Sequence, residues 1–181
     1  MEKKRIQVKK FKTPVGDLLI GSLENKICLC DWQYRKMRQS IDQRIQSGLN
    51  GEYEDGNSDV IEETMKQLEE YFSKNRQIFD IPLLQIGSEF QKRVWAELLK
   101  IPYGETSTYK KQSESLGNSR AIRAVASANG ANAISIIIPC HRIIGSKGDL
   151  VGYAGGLGAK EKLLALESEG ILQLKLFSDD K

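Results

Sequence analysis

The chain of 181 residues is short of the residues that many functions need. It has three cysteines, one histidine and four prolines, and aromatics make up 7% of it. An odd cysteine count argues against a disulfide framework. A structural zinc ion normally takes four Cys or His ligands at motif spacing. Cys28-Leu29-Cys30 has no paired ligands nearby and reads instead as a strand with two small core residues, so no metal is expected. Met1-Glu2-Lys3-Lys4-Arg5 lacks the apolar core of a signal peptide, and no apolar run reaches membrane-spanning length. A cytoplasmic protein with no membrane partner is expected. Gly152-Tyr153-Ala154-Gly155-Gly156 is glycine-rich but lacks the Walker and dinucleotide spacings, which gives nucleotide binding little support.

What is present is concentrated in one stretch. Ile134-Ser135-Ile136-Ile137-Ile138 places four isoleucines in five residues, the composition of a buried β-segment, and Pro139 ends it. Cys140 follows, next to His141, the single imidazole of the chain, and Arg142. A buried lone cysteine is most often a small core residue. Its neighbours here are polar and cationic, and Arg142 would favour the thiolate, which makes Cys140 a candidate nucleophile. Such a thiol needs a base. His141 is the one imidazole available, with a bridging water expected because adjacent side chains seldom point at each other. A carboxylate would hold that imidazole in one tautomer, and spacing alone leaves Asp149, Glu161 and Glu167 open.

Net charge is +3, with sequence-local imbalance. Residues 52–70 carry eight acids against the single base Lys66, and residues 91–123 carry seven bases against three acids. The basic excess just before the cysteine segment is weak support for a phosphate-facing surface.

Periodicity outlines an α+β protein. Residues 5–33 read as an antiparallel meander of strands, and Gln39–Asp59 as a poorly ordered connection or short helix. Asp59 and Glu62 have capping-box spacing ahead of a helix to about Lys74, and Asp80–Leu83 reads as an edge strand. A domain boundary is expected near residue 86, giving lobes 1–86 and 87–172 and a tail 173–181 that frays at its end. Ser88 and Gln91 open the next helix. A helix over 107–116 stops at Gly117, and Ser119 caps another over 120–129, the outline of a helix-turn-helix. Ala121, Ala124 and Ala128 are expected on one face of that second helix, with Arg120 and Arg123 one turn apart. A last helix is expected over 159–167, with Leu163, Leu164 and Leu166 inward.

Pro139-Cys140-His141-Arg142-Ile143 resembles the signature of the O6-alkylguanine-DNA alkyltransferases, the methylated-DNA–protein-cysteine methyltransferases. So do Phe90-Gln91 with Val94-Trp95, Ile101-Pro102-Tyr103-Gly104, Thr108-Tyr109, Arg123-Ala124-Val125, Ala128-Asn129-Gly130 with Asn132, Gly152-Tyr153 with Gly155-Gly156, and Lys160 with Leu163-Leu164 and Glu167, all in the family's order. The Thr13-Pro14-Val15-Gly16 hairpin is similar more loosely.

The resemblance implies a ribonuclease-H-like N-terminal lobe and a C-terminal lobe with a winged-helix-like helix-turn-helix. It implies a monomer without cofactor that flips O6-alkylguanine from double-stranded DNA. The alkyl group, from guanine O6 and also thymine O4, passes irreversibly to Cys140, once per molecule. By the same resemblance His141 is the water-mediated base and Glu167 orients it, while Asn132 ties the cysteine segment to the recognition helix. Tyr109 rotates the base and donates a proton, and Arg123 fills the gap in the stack. Ala124 and Ser119 meet the DNA, with the alanine face in the minor groove, and Tyr153, Gly155, Gly156 and Ile143 line the base pocket. The chain departs from common members at Gln112-Ser113, where the family often has Ile-Ala, at Ser119 and Ala133, where it often has proline, and at Ala154, which lacks a pocket hydroxyl. A non-repairing lesion binder is the main alternative, and a cysteine hydrolase or a plain helix-turn-helix regulator explains less of the chain.

Overall fold

The computed structural model describes the backbone from Glu2 to Ser178 and the side chains as far as Ser168. Strands β1 (Lys4–Thr13), β2 (Gly16–Leu23) and β3 (Lys26–Trp32) form the expected meander. Glu24 and Asn25 both take positive φ (50° and 58°), the two-residue turn whose twist suits an antiparallel hairpin. Of the two expectations for Gln39–Asp59, a poorly ordered connection or a short helix, the structure shows the helix, α1 (Arg38–Leu49), and adds an unexpected strand, β4 (Gly51–Asp55). Strand β4 pairs parallel with β1, so the sheet is mixed, in the order β3-β2-β1-β4. Ile41 and Ile45, one turn apart, are the two residues of α1 buried on the sheet, too sparse a pattern to read from a polar sequence.

The acidic run finds its partners here. Lys3 pairs with Glu52, Arg5 with Glu54 (3.6 Å) and Lys9 with Glu62 (2.7 Å). Side-by-side β1 and β4 thus meet base to acid, and Glu52, Glu54 and Glu62 of the acidic run are each ion-paired. Helix α2 (Asp59–Phe72) is capped by Ser58, whose Oγ accepts from the Ile61 N–H, so the cap lies one residue before the expected Asp59. It buries Val60, Ile61, Leu68 and Tyr71.

Strand β3 is at the end of the sheet, yet all but its first residue is buried. A bare edge would leave a row of unpaired backbone groups. Two later segments cover it. Ile27 N–H donates to Pro82 C=O and Leu84 N–H to Ile27 C=O (both 2.8 Å), while Cys30 N–H donates to Ala133 C=O (2.9 Å) and Ser135 N–H to Cys30 C=O (2.6 Å). The expected strand at 80–83 is therefore one bridge, Ile27 with Leu83. The cysteine-bearing segment is thereby built onto the N-terminal sheet by main-chain bonds.

Helix α3 (Glu89–Leu98) begins with the expected capping box, Ser88 and Gln91 each accepting from the other's backbone N–H. Strand β5 (Ser107–Thr108) precedes helix α4 (Tyr109–Ser115), capped by Thr108. Gly117 at φ 80° ends α4: its N–H reaches Glu114 C=O and that of Asn118 reaches Ser113 C=O, a Schellman motif. Helix α5 spans Ile122–Gly130 and not 120–129, and Ser119 does not cap it. The Asn118 side chain captures the Arg120 N–H (3.1 Å) and bends residues 118–121 into a turn before the helix begins.

Gln112 and Ser113 are buried. Gln112 and Asn129 exchange amide hydrogen bonds (2.7 and 3.3 Å), and Gln112 also donates to Val94 C=O (3.1 Å), which locks α4, α5 and α3 together by polar pairing. Strand β6 (Ile143–Ile144) pairs parallel with β5. Helix α6 (Leu157–Ser178) starts earlier and runs further than expected, taking in most of the supposed tail, while residues 179–181 lie outside the described part. Of the three leucines expected to face inward, Leu163 is fully buried, while Leu164 and Leu166 are half-buried. No described helix is long and apolar enough to cross a membrane.

Candidate active site

The isoleucine segment is not a strand beyond its first two residues. After Ile134 and Ser135 pair with β3, the chain folds back on itself: Ile137 N–H donates to Ser135 C=O (2.9 Å) around Ile136 at φ 71°. This is a γ-turn with positive φ, a strained conformation for a β-branched residue. A second tight turn follows, Cys140 N–H to Ile138 C=O (2.8 Å) around Pro139 at φ −82°, ψ 62°. Backbone strain of this kind persists only where the surroundings impose it. Here pairing with β3 and burial of all four isoleucines impose it, and the result presents Cys140 at the start of one 3₁₀ turn, Cys140–Arg142.

Asn132 holds that geometry. Its Nδ2 donates to Ile138 C=O (2.9 Å) and to Cys140 Sγ (3.3 Å), while its Oδ1 accepts the Ile134 N–H (2.9 Å). The N-terminal lobe holds Asn132 in turn. Arg35, paired with the fully buried Asp31 (2.6 Å), donates to Asn132 C=O (2.9 Å) and to Gly130 C=O at the end of α5, and Asp31 also accepts from Ser135 Oγ (3.2 Å).

Behind the thiol lies a buried polar cluster. His141 Nε2 and Glu167 Oε1 are 2.8 Å apart, both side chains fully buried. Of the three carboxylates left open, Glu167 is the partner. It also accepts from Tyr71 Oη (2.8 Å), Gly104 N–H (3.0 Å), and Arg142 Nε (2.9 Å) and Nη2 (3.0 Å). Burial alone would raise the Glu167 pKa, but the hydrogen bonds and charges of His141 and Arg142 hold it well below the usual carboxylate range. Burial pushes His141 the other way from a free imidazole, towards the neutral form. An ionised Glu167 facing Nε2 fixes the tautomer with the proton on Nε2 and the lone pair on Nδ1. His141 Nδ1 is buried and has no hydrogen-bond partner among the described residues.

Arg142 does not do what its position suggested. It is committed to Glu167 and to Ile101 C=O (2.6 Å), over the ring of Tyr103. Burial raises the Cys140 pKa. The bond from Asn132 opposes that, as do the charges of Arg35 and Lys160, while Asp31 adds to the rise. Cys140 at rest is a thiol.

Cys140 opens into a cavity of about 790 Å³, lined also by Tyr109, Tyr153, Gly155 and Gly156, and by Trp32 and Arg35 from the other lobe. A Cβ on Gly155 would stand 2.5 Å from the Trp32 ring, so only glycine permits that approach. The Tyr153 ring packs edge-on to Trp32 (5.8 Å) and His141 (6.3 Å). Lys160, buried in α6, donates to Val151 C=O (2.7 Å) and Gly152 C=O (3.4 Å), and Tyr109 Oη donates to Val151 C=O (3.4 Å), fixing the start of the glycine-rich loop.

The structure thus gathers Cys140, His141, Glu167, Asn132, Tyr109, Tyr153, Gly155 and Gly156 around one centre. Ile143, expected in the base pocket, is buried in β6 and does not line the cavity. Arg123, Ala124 and Ser119 lie apart from it, exposed, the first two on α5 and Ser119 in the turn before it. The three alanines do not form one open face: Ala124 is exposed, Ala121 half-buried, and Ala128 buried, its carbonyl taken by Trp95 Nε1 (2.8 Å). Sequence reasoning missed Tyr71, Asp31, Arg35 and Trp32. Tyr71 sits at a core position of α2 and carries no local sign that its hydroxyl meets a carboxylate 96 residues away.

Comparison with known proteins accords with this geometry. Residues 89–169 match the model of the 6-O-methylguanine DNA methyltransferase DNA-binding domain, and residues 6–85 that of the ribonuclease-like domain of the same family. The chain belongs to the 6-O-methylguanine DNA methyltransferase family. It is 43% identical over 161 residues to a methylated-DNA–protein-cysteine methyltransferase of Methanosarcina barkeri, covering 89% of this chain and 96% of that one. A relative of the same description from Mycobacterium leprae is 39% identical, covering 95% and 99%. Among solved structures, the Mycobacterium tuberculosis alkyltransferase in complex with DNA superposes with a TM-score of 0.77 at 34% identity, covering 92% and 94%. As a member of the family, the chain carries out direct-reversal DNA repair by alkyl transfer to cysteine.

Proposed function

We propose that this protein takes O6-alkylguanine, and O4-alkylthymine, from double-stranded DNA in the cytoplasm and moves the alkyl group to Cys140 Sγ, once per molecule. The observation that carries the assignment is the placing of Cys140 between an open cavity and the closed His141–Glu167 cluster. A base inside a stacked duplex hides its O6 substituent from in-line attack, so the nucleotide is first extruded, at a cost of a few kcal/mol. Arg123, exposed on α5, enters the gap and offsets part of that cost. Ala124 lets the helix approach the groove closely, and Ser119, at the tip of the turn, meets the backbone.

The extruded base lies in the cavity against Tyr153 and the Gly155–Gly156 backbone. The Cys140 proton passes through a water to His141 Nδ1, and Glu167 stabilises the imidazolium that forms. Sγ then attacks the alkyl carbon as the carbon–O6 bond breaks. Electrons flow to the purine, which takes a proton delivered by way of Tyr109. Burial and the Cys140 charge both raise the Tyr109 pKa, so it remains protonated and able to donate. The thioether has no residue nearby able to cleave it, so turnover stops at one.

The test is peptide mass after mixing with duplex DNA holding one O6-methylguanine. One methyl on the Cys140 peptide, saturating at one per protein, is the expected result. An unmodified protein still holding the lesion would instead support a lesion binder that does not repair.

A further inference from the structure

We propose that Tyr71 is a positioning residue for the reaction, contributed by the N-terminal lobe. Its hydroxyl shares Glu167 Oε1 with His141, and so sets how strongly the carboxylate draws on the imidazole. The inference rests on His141 acting as the base.

Oε1 receives three donors, Tyr71 Oη (2.8 Å), His141 Nε2 (2.8 Å) and Arg142 Nη2 (3.0 Å). One carboxylate oxygen has two in-plane lone pairs, so three donors weaken one another. Tyr71 is fully buried in α2 among Phe72, Phe79 and Tyr103, with ring centres 5.3, 5.5 and 6.0 Å away. A phenylalanine would fill that space equally well. What the hydroxyl adds is its bond to Glu167. Burial and the Glu167 charge raise the Tyr71 pKa well above its ordinary value, so the phenol stays a donor at every working pH.

The other groups facing His141 are few. Arg142 beside it and Lys160 from α6 are cations that oppose its protonation, and Glu167 is the anion that favours it. Tyr153 lies edge-on from the glycine-rich loop, and Cys140 precedes it. Taking away the Tyr71 donor leaves Oε1 freer to bind His141 Nε2–H and stabilises the imidazolium. The base is then already protonated at a pH where it should be taking a proton.

The sole histidine makes this directly measurable by ¹⁵N NMR of the imidazole across pH. Tyr71→Phe should raise the His141 titration midpoint by about one pH unit, as loss of one hydrogen bond to a charged group would. Replacing Tyr71 site-specifically with 3,5-difluorotyrosine, a stronger donor of the same shape, should lower it. The acid limb of the transfer rate should move with the midpoint, leaving Tyr71→Phe several-fold slower at the pH of the parent protein's His141 midpoint and equal to the parent well above both midpoints. An unmoved midpoint in both variants, or shifts of the same sign, would overturn the inference. Midpoints that move in opposite directions while the acid limb stays fixed would uphold the coupling and overturn His141 as the base.

Discussion

The two sides of Cys140 are built on opposite principles. On the closed side, the buried Glu167 accepts five hydrogen bonds, from a histidine, an arginine, a tyrosine and a main-chain N–H. On the open side, Arg123, Ala124 and Ser119 are exposed, and among the described residues Arg123 forms no ion pair. Where proton transfer needs a fixed donor and acceptor, the fold commits both Glu167 oxygens and, among the described residues, leaves His141 Nδ1 as the unpaired acceptor. On the side proposed to meet the duplex, it leaves Arg123, Ala124 and Ser119 exposed. The closed side should therefore govern chemistry on any substrate, and the open side should matter only when a base has to be extruded.

The largest expected effect removes the nucleophile. Cys140→Ala should abolish transfer in an alkyl-release assay while duplex binding by gel shift stays near the parent level. The thiol faces the cavity and not the exposed surface of α5, so lost binding would show that the two sides are not separable.

Next comes Glu167→Gln. It places an amide among five donors and loses the fixed tautomer, so transfer should fall by about 10²-fold or more, the usual worth of a positioned base. It breaks a buried ion pair as well, and chemical denaturation should show a loss of about 3–5 kcal/mol.

A smaller effect is expected from pH. His141 is buried with its pKa depressed, so the unfolded chain takes up a proton near pH 6.5 that the folded chain refuses. Stability should be full above that pH and decline as pH falls from there towards the lower folded-state value. Glu167, also depressed, adds a loss only at still lower pH, as protons reach its carboxylate. A melting temperature flat from pH 7.5 to 5 would contradict a neutral buried His141.

How much of this was legible in the sequence differs between the two sides. Cys140, His141, the Ser88–Gln91 cap and the Gly117 stop depend on neighbours within a few residues, and local pattern reveals them. The open face of α5 was read only in part, because the period that puts Ala121, Ala124 and Ala128 together cannot say that Trp95 covers Ala128. Nor could it say that Asn118, and not Ser119, organises the turn before the helix. The closed cluster was least legible. Choosing Glu167 over Asp149 and Glu161 depends on α6 meeting the 3₁₀ turn, and Tyr71 and Arg35 reach the site across the lobes. The four isoleucines suggested a strand because composition records burial, while the turn at Ile136 is imposed by the edge of β3.

The most direct test of the division compares two substrates. Transfer rates for the parent protein, Glu167→Gln and Arg123→Ala would be measured on duplex O6-methylguanine and on the free alkylated base. Glu167→Gln should slow both by a similar factor, whereas Arg123→Ala should slow the duplex reaction by about tenfold, part of the unstacking cost, and leave the free base unchanged. Equal slowing of both substrates by Arg123→Ala would contradict the account.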